Sequence, residues 1–314
     1  MSTPPPVVER RTIFGASAVL LPWRDATTPD LDAFAAHLDR TIAAGLVPAV
    51  NMDTGFGPVL DSGQRQKIRD LTAARGVAFI EGVHTDDAPG DPFDPDAVRR
   101  AASSVAAGGG RPILFPCHGM AGCDAGAIVE LHRRVADDVG ELLAFELGPM
   151  FHPAGRIFST EVFTELLAIP GVVGAKHSSL RRDLEWDRLE LRDRLRPEFL
   201  LMTGNDLAID LVVHGSDYLL GLSTFAPDAF ALRDRTWAEG DAARFWELND
   251  LLQYLGQFAF RAPVPGYRHD AAMFLALRGW VDSDRSHPSS PSRPDADRDV
   301  LAEIVSRLTD LLDR

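Results

Sequence analysis

Nearly all of the 32 basic residues in this chain are arginine; Lys67 and Lys176 are its only lysines. A GC-rich genome produces such a bias, because arginine replaces lysine wherever a solvated positive charge suffices. It cannot replace lysine where a primary amine must react, because its pKa is too high and it is a poor nucleophile. Lys67 lies in GQRQKIRDL, an amphipathic helical stretch, and reads as a solvated helix residue. Lys176 closes the apolar run GVVGAK, so its side chain emerges into or beside a core. An ammonium there is desolvated, which lowers its pKa toward neutrality. The neutral amine can attack a carbonyl and form an imine, the electron sink for making or breaking a carbon–carbon bond. A strand-end lysine that reaches solvent, or pairs with Glu146 or Asp206, is the competing reading. Scarcity and position favour the reactive amine.

Asp53, Thr54 and Gly55 follow a strand directly. Gly55 permits a tight turn, and Thr54 offers a hydroxyl and a backbone N–H, a combination that can hold a carboxylate. The same tripeptide is also an ordinary turn. A histidine titrates near neutrality, so His118 is a candidate acid or base, and Asp53 a candidate base. His177 is adjacent to Lys176 and should point to the opposite face of its strand, into outer packing. Of Phe145 and Glu146, only one can point inward for the same reason.

The elements that must position these groups alternate between apolar runs of strand length and helix-period segments. Expected strands cover 12–21, 47–52, 78–83, 113–117, 142–147, 172–176, 199–203 and 218–223. Helices are expected over 30–44, 62–75, 95–107, 125–139, 160–167, 184–195, 206–213 and 227–238. Eight βα units over about 240 residues fit a closed parallel (β/α)8 TIM barrel. A doubly wound sheet is the runner-up, but no GxGxxG follows the first strand. Residues 1–239 read as the barrel, with a loose arm over about 1–11. Residues 240–314 read as a C-terminal helical extension, with helices over 241–260, 270–278 and 296–313. The stretch DSDRSHPSSPSRPDAD reads as an exposed, mobile loop over 282–297.

In such a barrel the active site lies at the C-terminal ends of the strands. Asp53, His84, His118, Glu146, Lys176, Ser178, Asp206 and Ser223 all sit at expected strand ends.

The formal charge of -14 argues against nucleic acid and anionic membranes as partners. Cys117 and Cys123 are too few for a disulfide framework and are not spaced as CxxC, so they read as small half-buried thiols. The first residues lack the apolar segment of a signal peptide, and no apolar run approaches a membrane span. The expectation is a cytoplasmic protein.

These segments together resemble the dihydrodipicolinate synthase / N-acetylneuraminate lyase superfamily over nearly the whole chain. GVVGAKHSS resembles the strand that carries that superfamily's Schiff-base lysine, which maps onto Lys176. VNMDTGFGPVLD resembles its GTTGE turn and places the carboxylate-binding threonine at Thr54, beside Gly55. LMTGNDLAIDLVVHGSDYLLGLST resembles its SGDD…GxxGVIS stretch, so Gly204, Asn205, Asp206 and Leu220 are implied to line the pocket. PVPGYRHDAAMFLALRG resembles its C-terminal helical region. The resemblance implies a homo-oligomer (tetramer or dimer), a small carbonyl or carboxylate substrate such as pyruvate, and no cofactor or metal. Four departures stand out. The catalytic tyrosine at the end of the fifth strand is Phe145, which also falls at the substrate. The first threonine of the pair is Asp53, the tyrosine after the fourth strand is His118, and the glutamate after the turn is Phe56. Phenylalanine relays no protons, so the proton-transfer apparatus must differ. Asp53 would repel a 2-oxo acid unless it is protonated or paired.

The leading expectation is therefore a Schiff-base lyase, aldolase or dehydratase. Two alternatives belong to other classes: a metal-dependent barrel enzyme using Asp53, His84, His118 and Glu146, and a non-catalytic barrel that binds a small acid.

Overall fold

The computed structural model describes residues 4–314. Strands and helices alternate: β1 (Gly15–Ala18), α1 (Leu31–Ala44), β2 (Val47–Val50), α2 (Ser62–Ala73), β3 (Ile80–Val83), α3 (Pro95–Ala107), β4 (Arg111–Leu114), α4 (Ala125–Val139), β5 (Leu142–Leu147), α5 (Thr160–Leu167), β6 (Val172–Ser178), α6 (Arg182–Leu195), β7 (Leu200–Thr203), β8 (Asp217–Leu220) and α7 (Pro227–Glu239). Three helices follow: α8 (Ala242–Ala259), α9 (Tyr267–Leu277) and α10 (Asp297–Leu312). The strands are all parallel and close in sequence order, β8 pairing back onto β1. The chain is a TIM barrel with C-terminal helices.

Part of the acidic surplus is spent locally. Asp30, Asp61, Asp94, Asp124 and Asp241 each cap a helix, their side chains accepting a backbone N–H of the first turn. Each cap satisfies a donor that the helix itself cannot, and carries negative charge to the positive end of the dipole. The strands alternate between two apolar environments. Ala16, Ala18, Ala49, Ile80, Ile113, Leu143, Phe145, Met202 and Leu219 fill the barrel interior, and two further clusters fill the space between the strands and the helices. Register places Phe145 beside Lys176 and Lys176 beside Met202, so the amine rises from the interior-facing row.

Three expectations differ from the structure. The helix expected over 206–213 is a 3-10 turn, Ile209–His214. Ile209, Leu211, Val212 and Val213 are all buried, leaving no polar face, and the β-branched run disfavours an α-helix. The arm over 1–11 is not loose where it is described, although its first three residues lie outside the described part. The Val8 N–H bonds Val213 O at 2.8 Å, and the Arg11 guanidinium reaches Asp217 at 2.6 Å and Ser216 O at 2.7 Å. The stretch 282–297 is irregular and largely exposed, yet Arg293 turns inward and is buried. Its guanidinium donates to Asp270 at 2.9 Å and to the carbonyls of Ala259 and Arg261 at 2.9 and 2.8 Å. A fork of five N–H donors matches a turn of exposed carbonyls in a way composition does not reveal. Among the described residues, no helix is long and apolar enough to cross a membrane.

Candidate active site

Lys176 is 4% exposed and stands at the C-terminal end of β6, its Nζ 4.6 Å from the centre of the Phe145 ring. Burial lowers its pKa from the ordinary lysine value, while Asp53 and Asp206 pull the other way through space. It lines a small cavity with Asp53, Thr54, Leu147, Phe151, Ser178, Gly204, Asp206, Gly221 and Tyr267. The space left is barely what one water molecule needs. Gly204 keeps it open: a Cβ there would lie 2.0 Å from Ser178 Oγ and 2.5 Å from Lys176 Cε.

Each wall has a distinct chemistry. The Ser178 hydroxyl is buried and has no hydrogen-bond partner among the described residues. Burial pushes the Asp206 carboxyl up to about 7, although it accepts the Leu222 N–H at 2.7 Å and faces Lys176. The Tyr267 hydroxyl donates to Asp53 Oδ2 at 2.8 Å and lies 2.8 Å from Thr54 Oγ1. Asp53 is thus paired with a phenol. Arg268 adds a bond to the Asp53 carbonyl at 3.1 Å.

The other residues singled out from the sequence are more scattered. Phe145 lies under the amine, and Thr54, Gly204 and Asp53 face the cavity. Gly55, Asn205 and Leu220 are buried or turned away from the lining, next to it in the chain; the Asn205 side-chain oxygen Oδ1 accepts the Leu207 N–H at 3.1 Å. His118 lines a neighbouring cleft with His84, Asp87, Cys117 and His152, its ring 5.2 Å from that of His152. His84 bonds the Asn51 carbonyl at 2.7 Å, and burial brings its pKa down to about 4. Glu146 points out of the barrel, where His177 Nδ1, the Arg188 fork and the Phe158 N–H hold it. The four residues of the metal alternative therefore do not converge, and among the described residues no three His, Cys, Asp or Glu could hold a metal ion.

Sequence reasoning passed over Tyr267 and gave Ser178 no role. A signal for Tyr267 was present: the chain has only three tyrosines, so the scarcity argument made for lysine applied there as well. A larger cleft between α2 and α3 is lined by charges that pair with one another, Arg65 with Asp86 and Arg69 with Glu81.

No family model matches the chain. A curated relative, the probable 5-dehydro-4-deoxyglucarate dehydratase 2 of Streptomyces avermitilis, is 29% identical, over 94% of this chain and 86% of the relative. Dihydrodipicolinate synthase from Agrobacterium tumefaciens shares the fold with a TM-score of 0.78 at 19% identity, covering 95% of this chain and 98% of that one. YagE of E. coli K12, a dihydrodipicolinic acid synthase family protein solved with pyruvate, matches with a TM-score of 0.77 at 17% identity, covering 94% and 98%.

Proposed function

We propose that this chain, a divergent relative of the dihydrodipicolinate synthase-like superfamily, is a lyase that holds a hydroxylated 2-oxo acid as an imine on Lys176. The environment of that amine carries the reading: a buried lysine above a phenyl ring, lining a small cavity, with its pKa lowered by desolvation. A neutral amine at working pH is what attack on a carbonyl requires.

Lys176 Nζ adds to the C2 carbonyl carbon, and loss of water leaves an iminium. Removal of a C3 proton then gives an enamine. That enamine can expel a hydroxyl from C4, which is dehydration; alternatively the iminium accepts the electrons of a breaking C3–C4 bond, which is retro-aldol cleavage. Two observations favour dehydration. The relative matched over most of the chain carries a dehydratase name. Asp206, pushed up to about 7, holds a proton near neutrality and can give it to a departing hydroxyl. The Ser178 hydroxyl, without a partner among the described residues, offers a neutral donor to the substrate carboxylate. Neutral donors suit a wall that already contains Asp53 and Asp206. The reading also carries a cytoplasmic homo-oligomer that accepts pyruvate as its smallest carbonyl ligand; light scattering tests the assembly.

Trapping tests the chemistry. The protein is incubated with pyruvate or a hydroxylated 2-oxo acid, reduced with borohydride, digested and weighed. The peptide containing Lys176 gains the mass of the reduced acid, and Lys176→Ala gains none. No adduct with any 2-oxo acid tested would overturn the assignment.

A further inference from the structure

The proton-transfer tyrosine that the superfamily pattern places at the end of β5 is Phe145, yet a phenol does reach the Lys176 cavity, from the far end of the chain. Tyr267 opens α9, is 2% exposed and stacks on Phe260 with ring centres 4.3 Å apart. Its ring fits because residue 221 is glycine: a Cβ there would meet Thr54 Oγ1 at 3.1 Å and Tyr267 Cε2 at 3.2 Å. The turn that delivers it is clamped by Arg293, which donates to four carbonyls, those of Ala259, Arg261, Ala262 and Pro263. A tyrosine that only filled the core would need one hydrogen-bond acceptor. Tyr267 instead meets a carboxylate and a hydroxyl on consecutive residues of the loop after β2, and all three line the same cavity as the amine.

We propose that Tyr267, working with Asp53, is the proton-transfer residue for imine formation on Lys176, an inference that rests on the lyase reading above. As the Lys176 Nζ–C2 bond forms, the C2–O π bond opens. The carbonyl oxygen takes the phenolic proton of Tyr267, and the attacking nitrogen gives a proton to the Asp53 carboxylate. The Asp53–Tyr267 hydrogen bond then returns that proton to the phenolate. The net change is carbonyl plus amine to carbinolamine, and both protein groups end as they began. Burial and the neighbouring Asp53 charge raise the phenol pKa well above 10, so Tyr267 rests as the proton donor this step needs.

The opposing view makes Tyr267 a latch that merely holds α9 against the loop after β2. The two are separated by the rate at which the full-length protein forms a borohydride-trappable pyruvate adduct, read by mass spectrometry alongside a thermal melt. Tyr267→Phe keeps the ring stack and removes only the hydroxyl. The expected result is imine formation slowed by ~100-fold or more, with the adduct still on Lys176 once equilibrium is reached. Asp53→Asn slows the same step, and the double variant is no slower than the slower single one, because the pair acts as a unit. Adduct formation by folded Tyr267→Phe at the wild-type rate would overturn the proposal. If that variant does not fold, wild-type kinetics in Asp53→Asn would overturn it. A wild-type protein that forms no adduct at all overturns the lyase reading itself, an outcome distinct from either variant result.

Discussion

Adjacent residues on β5 and β6 form two cross-strand pairs that face opposite ways. Inside the barrel Phe145 lies beside Lys176; outside it Glu146 lies beside His177. Both pairs are buried, and both contain an ionisable group. The outer carboxylate is surrounded by donors: His177 Nδ1 at 2.6 Å, the Arg188 fork at 2.9 and 2.7 Å, and the Phe158 N–H at 2.9 Å. Burial alone would raise its pKa, but these partners bring Glu146 down to about 2. The inner amine faces an aromatic ring and two carboxyl groups acting through space, and its pKa falls. The contrast teaches how two paired strands can hold an anchored carboxylate on one face and a lysine whose charged form is disfavoured on the other. A buried charge given a full set of partners is held ionised, whereas one denied them has its charged form disfavoured.

Lys176→Met is the sharpest way to test that contrast. Turnover and adduct formation should vanish, while stability rises by ~1 kcal/mol, because an apolar side chain of similar length replaces an uncompensated buried amine. Activity assays and denaturant melts check both signs; a destabilised variant would mean that the amine is structurally partnered after all.

Arg188→Met should do the reverse. It leaves Glu146 buried without the guanidinium fork that holds both its oxygens, which costs about 3–5 kcal/mol in unfolding free energy. Adduct formation per folded molecule should stay near the wild-type value, since the outer pair does not touch the cavity.

The smallest expected effect concerns pH. Asp206 has a folded pKa of about 7 against an ordinary value of 3.8. Between those values the folded state binds the extra proton, so this group's contribution to stability declines as pH rises from about 4 to about 7 and is flat above. Asp206→Asn should remove that decline, seen as a smaller difference between melting temperatures at the two ends of the window. Lys176 acts oppositely: with its folded pKa below 10.5, the unfolded state binds more protons, and stability recovers as pH climbs toward that value. Lys176→Met should flatten the recovery.

Much of this was legible in the chain. The periodicities located the eight strands and every connecting helix except the one expected after β7, because strands and helices bury one face each and must repeat apolar residues accordingly. Lys176 stood out through composition, since no other basic residue type can do its chemistry. That Phe145 and Glu146 face opposite ways, as do Lys176 and His177, follows from the two-residue period of a strand; the register of β5 on β6 is what puts Phe145 on the side of Lys176. Less was legible where a residue's role depends on what the chain brings back to it. The 282–297 stretch reads as solvated loop, and its polar composition supports that, yet Arg293 closes the turn before α9. His118 sits at a strand end as expected, but the loop after β4 carries it to the cleft with His152.

The sequence alone determined the barrel, the lone strand-end lysine and the phenylalanine beside it, because each is written in local pattern or residue type. Only the tertiary structure decided what stands opposite that amine. Tyr267 lies 91 residues after Lys176 and 213 after Thr54. No periodicity links positions so far apart; only packing α9 over the mouth of the barrel places phenol, carboxylate and amine around one cavity.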